Sequence, residues 1–105
     1  MKKLYASIWY NAPLEKWKLD EAIVVENGKI TNWGCGGTFH FGPEDEDEEV
    51  LKEALIDLLF FDPEKYDDYD DPKWQKDLEK LMKEIEVEFV TQEEIKKLRK
   101  KYPEA

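Results

Sequence analysis

The apolar residues of this chain change their spacing at Gly42-Pro43, and that change limits the folds it can adopt. Before it, apolar side chains recur every second residue; after it, they recur every third or fourth. Period two puts alternate side chains on opposite faces of a strand, whereas the wider spacing gathers them on one side of a helix. A β region followed by a mostly helical one is the pattern of an α+β domain.

Leu4, Ala6, Ile8 and Tyr10 alternate with Tyr5, Ser7, Trp9 and Asn11, which predicts a strand over 4–11. Large apolar groups on both of its faces suit a central strand covered on both sides. Pro13 ends it, and residues 14–20, with Trp17, read as a short connection. Ala22-Ile23-Val24-Val25 marks a second strand over 21–26. Asn27-Gly28 then supplies a hairpin turn, and Lys29 to Trp33 returns as the third strand. Thr38-Phe39-His40-Phe41 alternates again, either as a fourth strand or as the third continuing past a glycine bulge.

Beyond the boundary, Val50, Leu51, Ala54, Leu55, Leu58 and Leu59 form the stripe of a first helix. The acidic run Glu44 to Glu49 begins it, where carboxylates oppose the positive end of the helix dipole. Asp62-Pro63 closes it. Asp71-Pro72 then pairs a capping residue with a proline at the first helical position, and Trp74, Leu78, Leu81, Met82 and Ile85 give the second helix its stripe. Ile85, Val87 and Phe89 alternate with Glu86 and Glu88, the mark of a half-buried strand at a sheet edge. Thr91-Gln92-Glu93-Glu94 is the capping box of a short third helix carrying Ile95, Leu98 and Tyr102, and Pro103 stops it. The expected architecture is one compact α+β domain over 1–105. An antiparallel sheet of four to five strands, an N-terminal meander plus one later strand, packs against two to three helices.

A chain of 105 residues buries one modest core without needing a disulfide or a metal. Twenty-six acidic against 16 basic side chains give a net charge of −10, which opposes direct binding to nucleic acid or an anionic membrane and favours a protein with a basic surface. Arg99 is the only arginine, which weakens the case for a site that grips phosphate bidentately. Cys35 is the only cysteine, so no intramolecular disulfide forms. No apolar run has membrane-spanning length, and the amino terminus lacks an apolar leader. A cytoplasmic location is expected (host cytoplasm for a viral protein), and a homodimer is compatible with the composition.

The segment Asn32 to Gly42 concentrates the only Cys, the only His and four of the five glycines. Cys35 as nucleophile with His40 as base would make a cysteine-dependent enzyme. Against it, the two are five residues apart on an extended stretch, with no acid or amide nearby to orient His40. The plainer reading is a glycine bulge with a small buried Cys and a partly exposed His. Trp33, Cys35, Phe39, His40 and Phe41 also form a candidate small-ligand site, where a flat, nucleotide-type ligand would stack. The glycines match neither a dinucleotide fingerprint nor a phosphate loop. The acidic runs do not fit an EF-hand, and one His with one Cys does not build a structural zinc site, so no metal or cofactor is expected.

The acidic runs carry the sharper functional expectation. Glu44, Asp45, Glu46, Asp47, Glu48 and Glu49 precede the first helix, and Tyr66, Asp67, Asp68, Tyr69, Asp70 and Asp71 follow it. They would stand at opposite ends of a rod roughly 20 Å long. Carboxylates held in place imitate the phosphates of a duplex, and tyrosines among them serve as interface anchors. The expectation is a non-enzymatic acidic binding protein resembling, in size and charge, the DNA mimics by which phages and mobile elements inhibit host defence or other nucleic-acid-acting proteins. For each run taken alone the bland alternative is a solvated face. At physiological salt the protein should leave duplex DNA unretarded in a gel-shift titration; salt-sensitive retardation at micromolar protein would contradict this.

Overall fold

The computed structural model describes residues 2–105. The order of elements is β1 (Lys2–Asn11), a 3-10 turn (Ala12–Leu14), β2 (Lys16–Glu26), β3 (Lys29–Cys35), β4 (Thr38–Phe41), α1 (Glu48–Phe60), α2 (Pro72–Glu84), β5 (Ile85–Phe89) and α3 (Gln92–Lys101). The sheet runs β3-β2-β1-β5, with β4 also on β2. It is mostly antiparallel, with one exception to the expected pattern: β5 pairs with β1 in parallel, Lys2 opposite Ile85 through Ala6 opposite Phe89. A parallel neighbour requires a crossover, and α1 and α2 supply it.

As its two apolar faces require, β1 is central. Leu4 and Ala6 enter a core with Ala22, Val24, Leu55, Ile56, Trp74 and Leu78, beneath α1 and α2. Tyr5 packs on the other side, where Ile23, Val25 and Ile30 meet Ile95 of α3. The sheet therefore lies between two helical layers of unequal size.

Residues 16–20, expected as a connection, are the first half of β2. Their pattern is hidden by a bulge. Ser7 pairs with Glu21 and Ile8 with Leu19, leaving Asp20 as the extra residue, and the Ser7 hydroxyl donates to Asp20 Oδ2 at 3.3 Å. The alternation slips by one there, so Leu19 and Ala22 share a face although they are three apart. Thr38–Phe41 is a fourth strand, the first of the two alternatives for that region, and the sheet has five strands. β3 and β4 both pair with β2, 29–35 along residues 26–21 and 38–41 along residues 18–16, and the chain kinks between them at Gly36-Gly37. Those glycines have φ of 77° and 85°, where a Cβ would be strained.

The expected caps at Asp71 and Thr91 form, and within the acidic run Asp47 is the residue that caps α1. Asp47 Oδ1 accepts from the Glu49 amide at 2.7 Å, Asp71 Oδ1 from Lys73 at 2.9 Å, and Thr91 Oγ1 from Glu94 at 3.2 Å. Between α1 and α2 the link is polar: the indole of Trp74, fully buried, donates to Asp57 Oδ1 at 3.1 Å. Burial holds the Asp57 carboxyl above its ordinary range, the indole donor opposes this, and Glu53 adds to the rise.

Trp74→Ala should cost about 3–5 kcal/mol by urea unfolding, the usual loss for a buried tryptophan. Trp74→Phe tests the polar link. Without the indole donor, the folded pKa of Asp57 rises further above the unfolded one. A carboxyl raised on folding withdraws stability as pH climbs through that interval. The deficit of Trp74→Phe against wild type should thus be widest at neutral pH and narrow as pH falls into the carboxylate range.

Candidate functional site

Charge is divided between the layers. Residues 42–84, which form α1, α2 and their connections, hold 17 of the 26 acids and 6 of the 16 bases, a net −11. The remainder holds 9 acids and 10 bases, a net +1. A coat serving only solubility has no reason to gather on one side of a sheet.

Within that layer the carboxylates have two occupations. Some hold backbone. Asp47 and Asp71 cap helices, Asp71 also accepts from the Asp67 amide, and Asp68 accepts from the Asp70 amide at 2.8 Å. The two backbone amides keep the Asp71 carboxyl below its usual range. Others face water: Glu44, Asp45, Glu48, Glu49, Asp67 and Asp70 are exposed. Among the described residues none of these six takes part in an ion pair. The capping and turn bonds thus fix where the free carboxylates stand.

The two tyrosines separate. Tyr66 is 5% exposed and belongs to the core, its hydroxyl donating to Asp77, so it cannot present an anchor to a partner. Tyr69 is 55% exposed and stacks on Phe61 at 4.1 Å between centroids. Val50 and Leu58 of α1 are also exposed. Leu58, Ala54, Asp57 and Tyr69 form, with Phe39 and His40 of β4, an open groove of about 350 Å³. One apolar strip therefore runs beside α1, with free carboxylates at each end.

The glycine-rich segment does not form one site. Phe39 and His40 face α1, whereas Trp33 lies on the α3 side, its ring 5.9 Å from the Arg99 guanidinium, and Phe41 is 73% exposed opposite Lys16. Cys35 is exposed, against the expected burial. It pairs with Glu21 and His40 with Trp17. Those partners are four positions apart on β2, on the order of 13 Å, and the register keeps the thiol away from the imidazole.

An acid does orient His40, and it comes from the acidic run. Glu46 Oε2 lies 3.1 Å from His40 Nε2. A Cβ on Gly42 would come within 2.5 Å of that carboxylate oxygen and 2.8 Å of that ring nitrogen. Gly34 is likewise explained by packing: its missing Cβ makes room for Leu59 of α1, whose Cδ2 would be 2.7 Å away. Trp17, beside Tyr10 at 5.1 Å, donates its indole N–H to Pro43 O at 3.1 Å and holds the start of the run from below. Burial and the carboxylates of Glu15, Glu44 and Asp45 keep the Tyr10 hydroxyl above its ordinary range. Among the described residues no group of three or more metal-ligating side chains converges, and no helix is long and apolar enough to cross a membrane.

Gly42→Ala should part His40 from Glu46 at a cost of about 1 kcal/mol, the low end for overpacking because both neighbours are side-chain ends. The amides of residues 44–46 should exchange faster in hydrogen-exchange measurements, with α2 unchanged; unaltered exchange would show that the pair does not hold the run. No protein-family model, curated protein or solved structure matches the chain.

Proposed function

We propose that this is a non-enzymatic binding protein whose α1 side docks on the basic face of another protein, in the manner of a nucleic-acid mimic. The observation that carries the reading is the division of charge, a net −11 over residues 42–84 against +1 elsewhere. Concentrated charge of one sign steers an oppositely charged partner and orients its approach. The exposed strip of Val50, Leu58 and Tyr69 supplies the apolar centre and the flanking carboxylates the rim, the usual division of labour in an interface. Tyr69 is the anchor, and the groove beside it accepts a partner side chain.

The partner class follows from the same chemistry. A surface that takes rows of carboxylates is built for rows of phosphates, so the expected target acts on nucleic acid, and the expected effect is inhibition by occupancy. A phage or mobile-element origin and a cytoplasmic site of action fit this role.

The experiment compares two folded variants with wild type against the partner captured from the native host. The first neutralises only free carboxylates (Glu44→Gln, Asp45→Asn, Asp67→Asn and Asp70→Asn), leaving the caps intact. The second is Tyr69→Ala. The first should lower the association rate at least about tenfold at low salt and flatten its dependence on ionic strength. The second should chiefly raise the dissociation rate. Unchanged binding by both would remove α1 from the interface.

A further inference from the structure

The sheet ends on β5, and that edge is bare. Ile85–Phe89 has a strand neighbour only in β1. Along a strand, successive residues turn their N–H and C=O groups to alternate sides. The Val90 amide donates to Ala6 O, so Glu88 and Glu86 also turn toward β1, and the backbone groups of Val87 and Phe89 point outward. Among the described residues no backbone group outside the ladder meets them. The other edge is treated differently. Ile30 of β3 donates to Pro103 O at 2.8 Å and accepts from the Ala105 amide at 2.9 Å, so chain-terminal residues cover it there.

Carboxylates stand on both sides of the bare edge. Glu86 and Glu88 project from one face of β5. On the other, Glu48 and Glu49 from the first turn of α1 meet Val87 and Phe89 around a groove of about 220 Å³, which Glu86 also borders. The lysine in that groove, Lys52, is committed to Met82 O at 2.7 Å, and Lys3 bridges Glu88 at 3.4 Å. Glu48, Glu49 and Glu86 have no ion-pair partner among the described residues.

Unpaired amides and carbonyls call for an extended chain, and carboxylates on both faces call for that chain to be cationic. We infer that the β5 edge takes up an extended lysine- or arginine-rich segment of the partner as a sixth strand. Main-chain bonds form at Val87 and Phe89, the general mode of strand addition. On the α1 side, basic side chains lay their methylenes over Val87 and Phe89 and reach Glu48 and Glu49 with their charged ends. On the other side, alternate residues meet Glu86 and Glu88. This rests on the docking of α1 with a basic partner and specifies how part of that partner is held. The competing role for these glutamates is to repel a second copy from an open edge.

The probe is a fluorescent, end-blocked hexalysine peptide, compared with a version N-methylated at every residue. Methylation keeps every charge and removes the amide donors of both edges. The full chain should bind hexalysine at least about tenfold more tightly than the methylated peptide. Hexalysine should slow hydrogen exchange at the Val87 and Phe89 amides of the unaltered protein. Val87→Pro, which removes an outward donor at an edge, should abolish the preference while circular dichroism stays unchanged. Should that variant unfold, the exchange measurement on wild type decides. Equal binding of the two peptides with Val87 and Phe89 unprotected overturns strand addition. If that binding is then lost on neutralising Glu44, Asp45, Asp67 and Asp70, the docking reading survives alone. No binding of any peptide overturns the inference, whereas the docking reading is judged on the captured partner.

Discussion

The burial of β1 on both faces is the constraint from which the remaining structure follows. A strand with Leu4 and Ala6 on one side and Tyr5 on the other needs a helical layer over each. The chain supplies the layers unequally. Two thirteen-residue helices cover one face, while α3, ten residues long, covers part of the other. The larger layer must also carry the crossover that brings β5 back parallel to β1. It is therefore the layer with the most exposed helix surface and loop, and it is where the charge has been put.

That placement alters what the net charge means. Averaged over the molecule, −10 says that polyanions are repelled everywhere. The principal extents are 36 × 35 × 22 Å, and the Debye length at physiological salt is about 8 Å. Each face thus acts largely on its own charges. On the α1–α2 side the field is strongly negative; on the α3 side Lys16, Lys18 and Arg99 stand among Trp9, Trp33 and Phe41, with little net charge. A partner meets a two-sided object, and whole-chain charge describes neither side.

The sequence was most legible where one local rule acted alone. All three helices, the caps at Asp71 and Thr91, and the sheet-edge position of β5 are visible in residue patterns, because caps and stripes report on near neighbours. The first half of β2 was not, because the Asp20 bulge breaks the period that identifies a strand. Nor could spacing separate Tyr66 from Tyr69, three residues apart in one acidic loop. Their difference comes from Trp74, whose ring lies 5.1 Å from that of Tyr66 and draws it inward. The bond from Glu46 to His40 was invisible for the same reason: it depends on how the chain returns over β4 after Gly42.

The acidic runs therefore cannot be classed as either structural or functional as wholes. In Asp67 to Asp71 the side chains of Asp68 and Asp71 are spent on backbone amides, and by holding the loop they fix Asp67, Asp70 and Tyr69 in space. In Glu44 to Glu49, Glu46 and Asp47 do the same for Glu44, Asp45, Glu48 and Glu49. A tail of equal charge would present its carboxylates as a mobile average. Here each run contains the bonds that stop it from behaving as a tail. Ordering them incurs its entropic cost at folding rather than at binding, which is the condition under which a charge pattern can select a partner.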